Sequence, residues 1–220
     1  PLAIQGPKAE ELMVKIFGDK IRSIKFFHFD NFKFDGKNLV ISRSGYSKQG
    51  GFEIYFSGFE KGKKLWNIIW EEGKIFNISP GCPNLIDRIE AGFLSYGNEF
   101  NIENNPYECN FGKYCSEDSN HDFVGKKALK KIKKEGINKK IMGVIFDGNS
   151  CPPCSIPFPV YSNDNKKIGQ ITSAIYSPKL KKNIGLSMIL RNYWNIKEPI
   201  LIETPDHLTR KGYTTSLPFV

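Results

Sequence analysis

Residues 43–54 read RSGYSKQGGFEI, and this stretch decides how the first part of the chain folds. The flanks, NLVISRS (38–44) and GFEIYF (51–56), are rich in β-branched and aromatic residues, whereas KQGG (48–51) supplies turn chemistry, so the stretch predicts a β-hairpin. Successive side chains of a strand point to opposite faces, which sends Phe52 and Ile54 one way and Glu53 and Tyr55 the other. Two apolar neighbours then anchor the strand and present the Glu53 carboxylate to whatever lies opposite.

Working outward, LAIQG (2–6) reads as a buried strand, and Pro7 opens a helix whose Ala9, Leu12, Met13, Ile16 and Phe17 share a face and whose end is Gly18. SIKFFHF (23–29) and FKF (32–34) read as strand material, with DGKN (35–38) as the turn before the hairpin. EKGKKLWNIIWEE (60–72) predicts a second amphipathic helix with Leu65, Trp66, Ile69 and Trp70 on its apolar side. CPNLIDRIEAG (82–92) predicts a short helix with Leu85, Ile86 and Ile89 inward, and DFVGKKALKKIKKEG (122–136) a helix with a basic outer face. Beyond residue 137 the pattern changes to short apolar runs between turns: KKIMGVIFDG, FPVYSN, KIGQITSAIYS, NIGLSMIL, PILIET and GYTTSLPFV. Strands at that spacing predict a small antiparallel barrel or sandwich. The expected fold class is α+β: a mixed region over 1–137 followed by a small antiparallel β-barrel over 138–220.

With 220 residues, 40% hydrophobic and 25% charged, the composition is that of a soluble protein able to bury more than one core. No run approaches the ~20 apolar residues of a membrane span, and PLAIQGPKAE lacks the basic start and cleavage site of a signal peptide, so the expected location is cytoplasmic and no membrane is expected. The net charge of +9 comes from lysines clustered in GKKALKKIKKEG and SPKLKKN, which read as solvated faces. Without zinc-finger spacing or an RNP-type motif, nucleic acid is not an expected partner. The five cysteines, Cys82, Cys109, Cys115, Cys151 and Cys154, form no regular framework. The CPPC of 151–154 lies in a proline-rich loop that cannot enter a helix at once, so it reads as structural rather than as a redox or metal site. His28, His121 and His207 are scattered, and GxGxxG and P-loop motifs are absent.

LAIQGPKA, SRSGYSKQGGFEI, RIEAGFLSYGNE, DFVGKKAL, GQITSAIYSPKLKKNIGLSMI and PFV occur in this order along the chain, and together they resemble the folate-dependent aminomethyltransferase family, that of the glycine cleavage T-protein. The resemblance implies a folate site. A pterin presents a ring N–H beside an exocyclic amino group, and one carboxylate accepts from both in a fork; by position that carboxylate is Glu53. Tyr46 matches the tyrosine of the family's GYTGE turn and is placed against the pteridine, Tyr55 shares a face with Glu53, and Arg88 matches the arginine of the family's RLEAG segment. Tetrahydrofolate is the implied cofactor, as methyl acceptor, and no metal is implied.

Within the family, PGCPNLIDRIEAGFLSYGNEF (80–100) and CPPCSIPFPVYSN (151–163) resemble the branch that demethylates dimethylsulfoniopropionate, which implies a small sulfonium substrate. The T-protein reaction itself, and folate binding without catalysis, are the alternatives. Two departures stand out: Asn84 replaces an arginine of the T-protein's folate site, and Lys48 and Gln49 replace the glycine and glutamate of the family's YTGEDG turn. The strand at the second residue leads to the expectation of an upstream region of the same protein, to which the resemblance assigns the family's aspartate, so no catalytic residue is assigned here. A homodimer is a further expected assembly.

Overall fold

The computed structural model describes residues 1–81 and 85–220, which form two compact units divided between residues 84 and 85.

The first unit is an antiparallel four-stranded sheet with two helices. Its elements are β1 (Leu2–Gln5), α1 (Ala9–Phe17), β2 (Phe29–Phe34), β3 (Lys37–Ser42), β4 (Gly51–Tyr55) and α2 (Phe59–Gly73), and the strand order is β1-β4-β3-β2. Gly18 ends α1 at φ 81°, returning its amide to Val14 O at 2.7 Å, while Glu10 and Glu11 sit in the first turn where the helix dipole favours them. Asp35 and Gly36, both at positive φ, make the tight turn between β2 and β3. The alternation expected for β4 is present: Phe52 and Ile54 are buried with Ile4, Leu39 and Ile41, and Leu12, Met13, Leu65 and Ile69 of the two helices cover that face. Each such side chain contributes roughly 1.5–3 kcal/mol through burial.

Two expectations fail in this unit. The strand predicted from residue 23 begins only at Phe29, because a 3-10 turn over Asp19–Ser23 is followed by a tight turn in which the His28 amide bonds Lys25 O and Phe27 takes a positive φ. On α2, Leu65 and Ile69 face the core but Trp66 is exposed and stacks in parallel on Trp70.

The second unit comprises α3 (Leu85–Glu90), α4 (Lys126–Glu135) and six strands, β5 (Lys139–Phe146), β6 (Phe158–Tyr161), β7 (Lys167–Ser177), β8 (Lys182–Leu190), β9 (Pro199–Glu203) and β10 (Thr209–Thr215). The strands close into an antiparallel barrel in the order β10-β5-β8-β7-β6-β9, which leaves no free edge. Val144, Phe146, Phe158, Val160, Ile171 and Ile202 fill its core. A register shift between Ile171 and Ser173 reverses the facing of β7: Ile171 and Ala174 point into the barrel core, whereas Ser173, Ile175 and Ser177 meet α3 and its surroundings. That bulge explains a correction on α3. Ile89 is buried as expected but Leu85 is exposed, and the other buried residues are Arg88 and Glu90, which bond Ser173 and Ser177. Among the described residues no helix is long and apolar enough to cross a membrane.

Candidate functional site

Glu53 sits on β4, a central strand, with Ala3 of β1 opposite it on one side and Ser42 of β3 on the other. These small neighbours leave the half-buried carboxylate standing between them, on the sheet face that the helices do not cover. Ser44 Oγ donates to Glu53 Oε2, and Ser42 Oγ lies 2.6 Å from Ser44 Oγ. Among the described residues Glu53 Oε1 takes no hydrogen bond.

The loop between β3 and β4 is held over Gln5. The Gln5 amide nitrogen donates to Ser44 O at 3.1 Å and Phe52 O at 3.3 Å, and its oxygen accepts from Ser47 Oγ at 3.0 Å. Contact is so close that a Cβ on Gly45 would lie 1.9 Å from Gln5 Oε1, and one on Gly51, at φ 141°, would lie 2.1 Å from Ile4 O. Lys48, in the position where the family turn has glycine, also takes a positive φ of 60°.

Tyr55 lies two residues beyond Glu53 on the same face, about 7 Å further along the strand, and is 44% exposed. Tyr46, in the loop, is 46% exposed. The arrangement therefore offers a carboxylate with open acceptor positions and two accessible phenol rings in the same unit. That is the chemistry for a flat ligand with paired N–H donors.

Arg88 is in the second unit and in a different setting. Its guanidinium donates to Phe93 O and Glu99 Oε2, each at 2.9 Å, and to Ser173 Oγ at 2.6 Å, while Ser173 Oγ donates to Glu99 Oε1. Asn84, the replaced arginine position, and Cys82 lie outside the described residues.

The CPPC loop packs on the barrel. The Cys151 amide donates to Asn183 Oδ1 at 2.8 Å, both thiols lie against the barrel core, and burial pushes both up, Cys154 to about 11. A thiol so shifted is mostly protonated at neutral pH and a poor nucleophile. His28, His121 and His207 are all exposed, and among the described residues no three His, Cys, Asp or Glu side chains converge as a metal site would need.

A concavity of about 450 Å³ opens in the barrel-containing unit beside Phe93, Phe111 and the C-terminal residues 215–218. Lys140 Nζ sits 4.6 Å over the Trp194 ring and Lys113 Nζ 4.9 Å over Tyr114. No periodicity in the sequence points to it, since its walls come from five separate segments.

Two family descriptions match the chain: GCVT N-terminal domain over residues 1–119, and glycine cleavage T-protein C-terminal barrel domain over residues 139–220. The chain belongs to the GCVT family. It is 44% identical over 217 residues to dimethylsulfoniopropionate demethylase DmdA of Ruegeria pomeroyi, a match that covers 97% of the chain and 58% of the relative. It is 40% identical over 202 residues to the aminomethyltransferase of Caldanaerobacter subterraneus subsp. tengcongensis, covering 90% of the chain and 53% of the relative. The crystal structure of the glycine cleavage aminomethyltransferase T of Bartonella henselae superposes with a TM-score of 0.80 at 19% identity, over 99% of the chain and 58% of that protein, a likeness of fold. The chain thus spans a little over half the length of the relatives it matches.

The GCVT motifs pointed to Glu53 and Tyr46, and strand alternation to Tyr55, but neither singled out Ser42, Ser44 or Gln5. Ser44 and Gln5 each stand within a quoted motif, but in different ones: Gln5 is brought to the loop by the pairing of β1 with β4, and its bond to Phe52 O joins residues 47 apart in sequence.

Proposed function

We propose that the chain is the folate-binding portion of a tetrahydrofolate-dependent methyltransferase that demethylates dimethylsulfoniopropionate to methylmercaptopropionate, with 5-methyltetrahydrofolate as the other product. The observation that carries this reading is the Glu53 carboxylate, held at Oε2 by Ser44 and, among the described residues, open at Oε1, on a strand that also carries the exposed Tyr55. A carboxylate has about four acceptor positions, and one hydroxyl occupies one of them, so the residues fit a pterin edge. In this reading Glu53 holds the ring N–H and amino group, and Tyr46 and Tyr55 pack on or hydrogen-bond the pteridine. Tetrahydrofolate would supply the nitrogen nucleophile, which takes the methyl group and gives up its N–H proton to solvent.

The sulfonium carbon is already activated. When its C–S bond breaks the sulfur keeps the bonding pair and leaves as a neutral thioether, so the protein has mainly to align and desolvate the reactants, with aromatic rings suited to a cationic substrate. The identity of 44% with a dimethylsulfoniopropionate demethylase supports the choice of donor. A second reading, an aminomethyltransferase acting on a lipoyl-bound aminomethyl group, has the support of the relatives 40% identical to the chain.

Turnover by the intact protein tests the proposal. Dimethylsulfoniopropionate should be consumed only when tetrahydrofolate is present; consumption without folate, or none with it, would overturn the reading.

A further inference from the structure

We infer that Ser44 is a positioning residue for the Glu53 carboxylate, itself set in place by Ser42 and Gln5. This rests on the reading of Glu53 as the pterin contact and adds how that contact is oriented.

The direction of the hydrogen-bond chain follows from counting protons. An ionised carboxylate only accepts, and a serine hydroxyl has one hydrogen. Ser44 gives that hydrogen to Glu53 Oε2, so the 2.6 Å contact between the two serines is a donation from Ser42 to Ser44. Each hydroxyl in such a chain polarises the next, which strengthens the bond at its charged end.

Ser44 is fixed at its backbone as well. Gln5 Nε2 bonds the carbonyl of Ser44 and the carbonyl of Phe52, the residue before Glu53, and so ties the loop and the strand that carry the two partners into one register. Gln5 Oε1 takes Ser47 Oγ, leaving the amide little freedom to turn. The lack of room at Gly45 has the same origin, since the loop lies directly on this amide.

A glutamate side chain on an open sheet face has three rotatable bonds, and a flat ligand with paired donors needs both oxygens in one plane. Ser44 removes that freedom before the ligand arrives. A ligand meeting an ordered carboxylate binds more tightly than one that must order it.

The test is calorimetric titration of the intact protein with 5-formyltetrahydrofolate, a stable reduced folate, alongside thermal melting. Ser44→Ala should weaken binding about tenfold, the scale of a charge-assisted hydrogen bond, with a melting temperature within about 2 °C of the parent, as for a substitution that leaves the core untouched. Ser44→Thr, which keeps the hydroxyl, should restore affinity. Unchanged affinity in Ser44→Ala, or a Ser44→Thr protein as weak as Ser44→Ala, would overturn the positioning role while leaving Glu53 as the contact. Glu53→Ala in the same series separates the two ideas: full affinity there would remove the pterin reading and the inference together.

Discussion

Arg88 Nη1 lies 2.9 Å from Glu99 Oε2 in an ion pair whose side chains are 7% and 0% exposed, and Ser173 of the barrel bonds both partners. Breaking such a pair by removing one member leaves the other charge buried and costs about 3–5 kcal/mol. Arg88→Ala should therefore lower unfolding free energy by that amount in a denaturant titration. A protein as stable as the parent but weakened toward folate would instead make Arg88 a ligand contact.

Glu117 carries the clearest acid-range signal. A hydrogen bond from Lys133, at 2.6 Å, holds its carboxyl below the ordinary 4.5, at about 2. A depressed carboxylate stabilises the fold fully above its unfolded pKa, and that contribution is lost as pH falls through the folded value. Melting temperature should fall between pH 4.5 and pH 2, and Glu117→Gln, less stable at neutral pH, should show a shallower fall over the same window. Parallel curves for the two proteins would contradict the assignment.

Cys151 and Cys154 should behave as packing groups. With thiols raised by burial, Cys154 to about 11, alkylation by iodoacetamide at pH 7.5 should be much slower than for an unfolded control. Replacing both by serine should leave turnover largely intact. Fast labelling, or a loss of activity reversed by zinc or a reductant, would restore a metal or redox role to the loop.

At Glu53 the amide isostere is the informative change. Glu53→Ala should weaken reduced-folate binding by roughly 1.5–3 kcal/mol, and Glu53→Gln should do nearly as much damage, because its NH₂ would aim a donor at one of the pterin's donors. Affinity in Glu53→Gln equal to the parent's, measured by calorimetry, would mean that the carboxylate does not accept from the ligand's paired donors.

How far these features were legible depends on whether their causes are local. Helix α1 was readable because its apolar spacing lies within it and the closing Gly18 directly follows it, and the facing of Glu53 was readable because Phe52 and Ile54 flank it. The inward turn of Arg88 and Glu90 was not, since it depends on a bulge some 80 residues away that sets Ser173 and Ser177 on the α3 side. The six barrel strands could be counted from their turns, but their closure and order come from pairings such as β10 with β5, which no local pattern encodes. The facing of Glu53 was legible and its hydrogen-bonded support was not, because Gln5 joins it from β1, which α1, β2 and β3 separate from β4 in the sequence.

The central claim is a methyl transfer from a sulfonium, and the identity of the folate product tests it most directly. A methyl group that leaves with sulfur retaining the bonding pair arrives at the methyl oxidation level. Mass spectrometry of the reaction with dimethylsulfoniopropionate and tetrahydrofolate should find 5-methyltetrahydrofolate and methylmercaptopropionate in equal amounts. Methylene-tetrahydrofolate with ammonia, formed only when a lipoylated carrier protein is supplied, would contradict the account and make the protein an aminomethyltransferase.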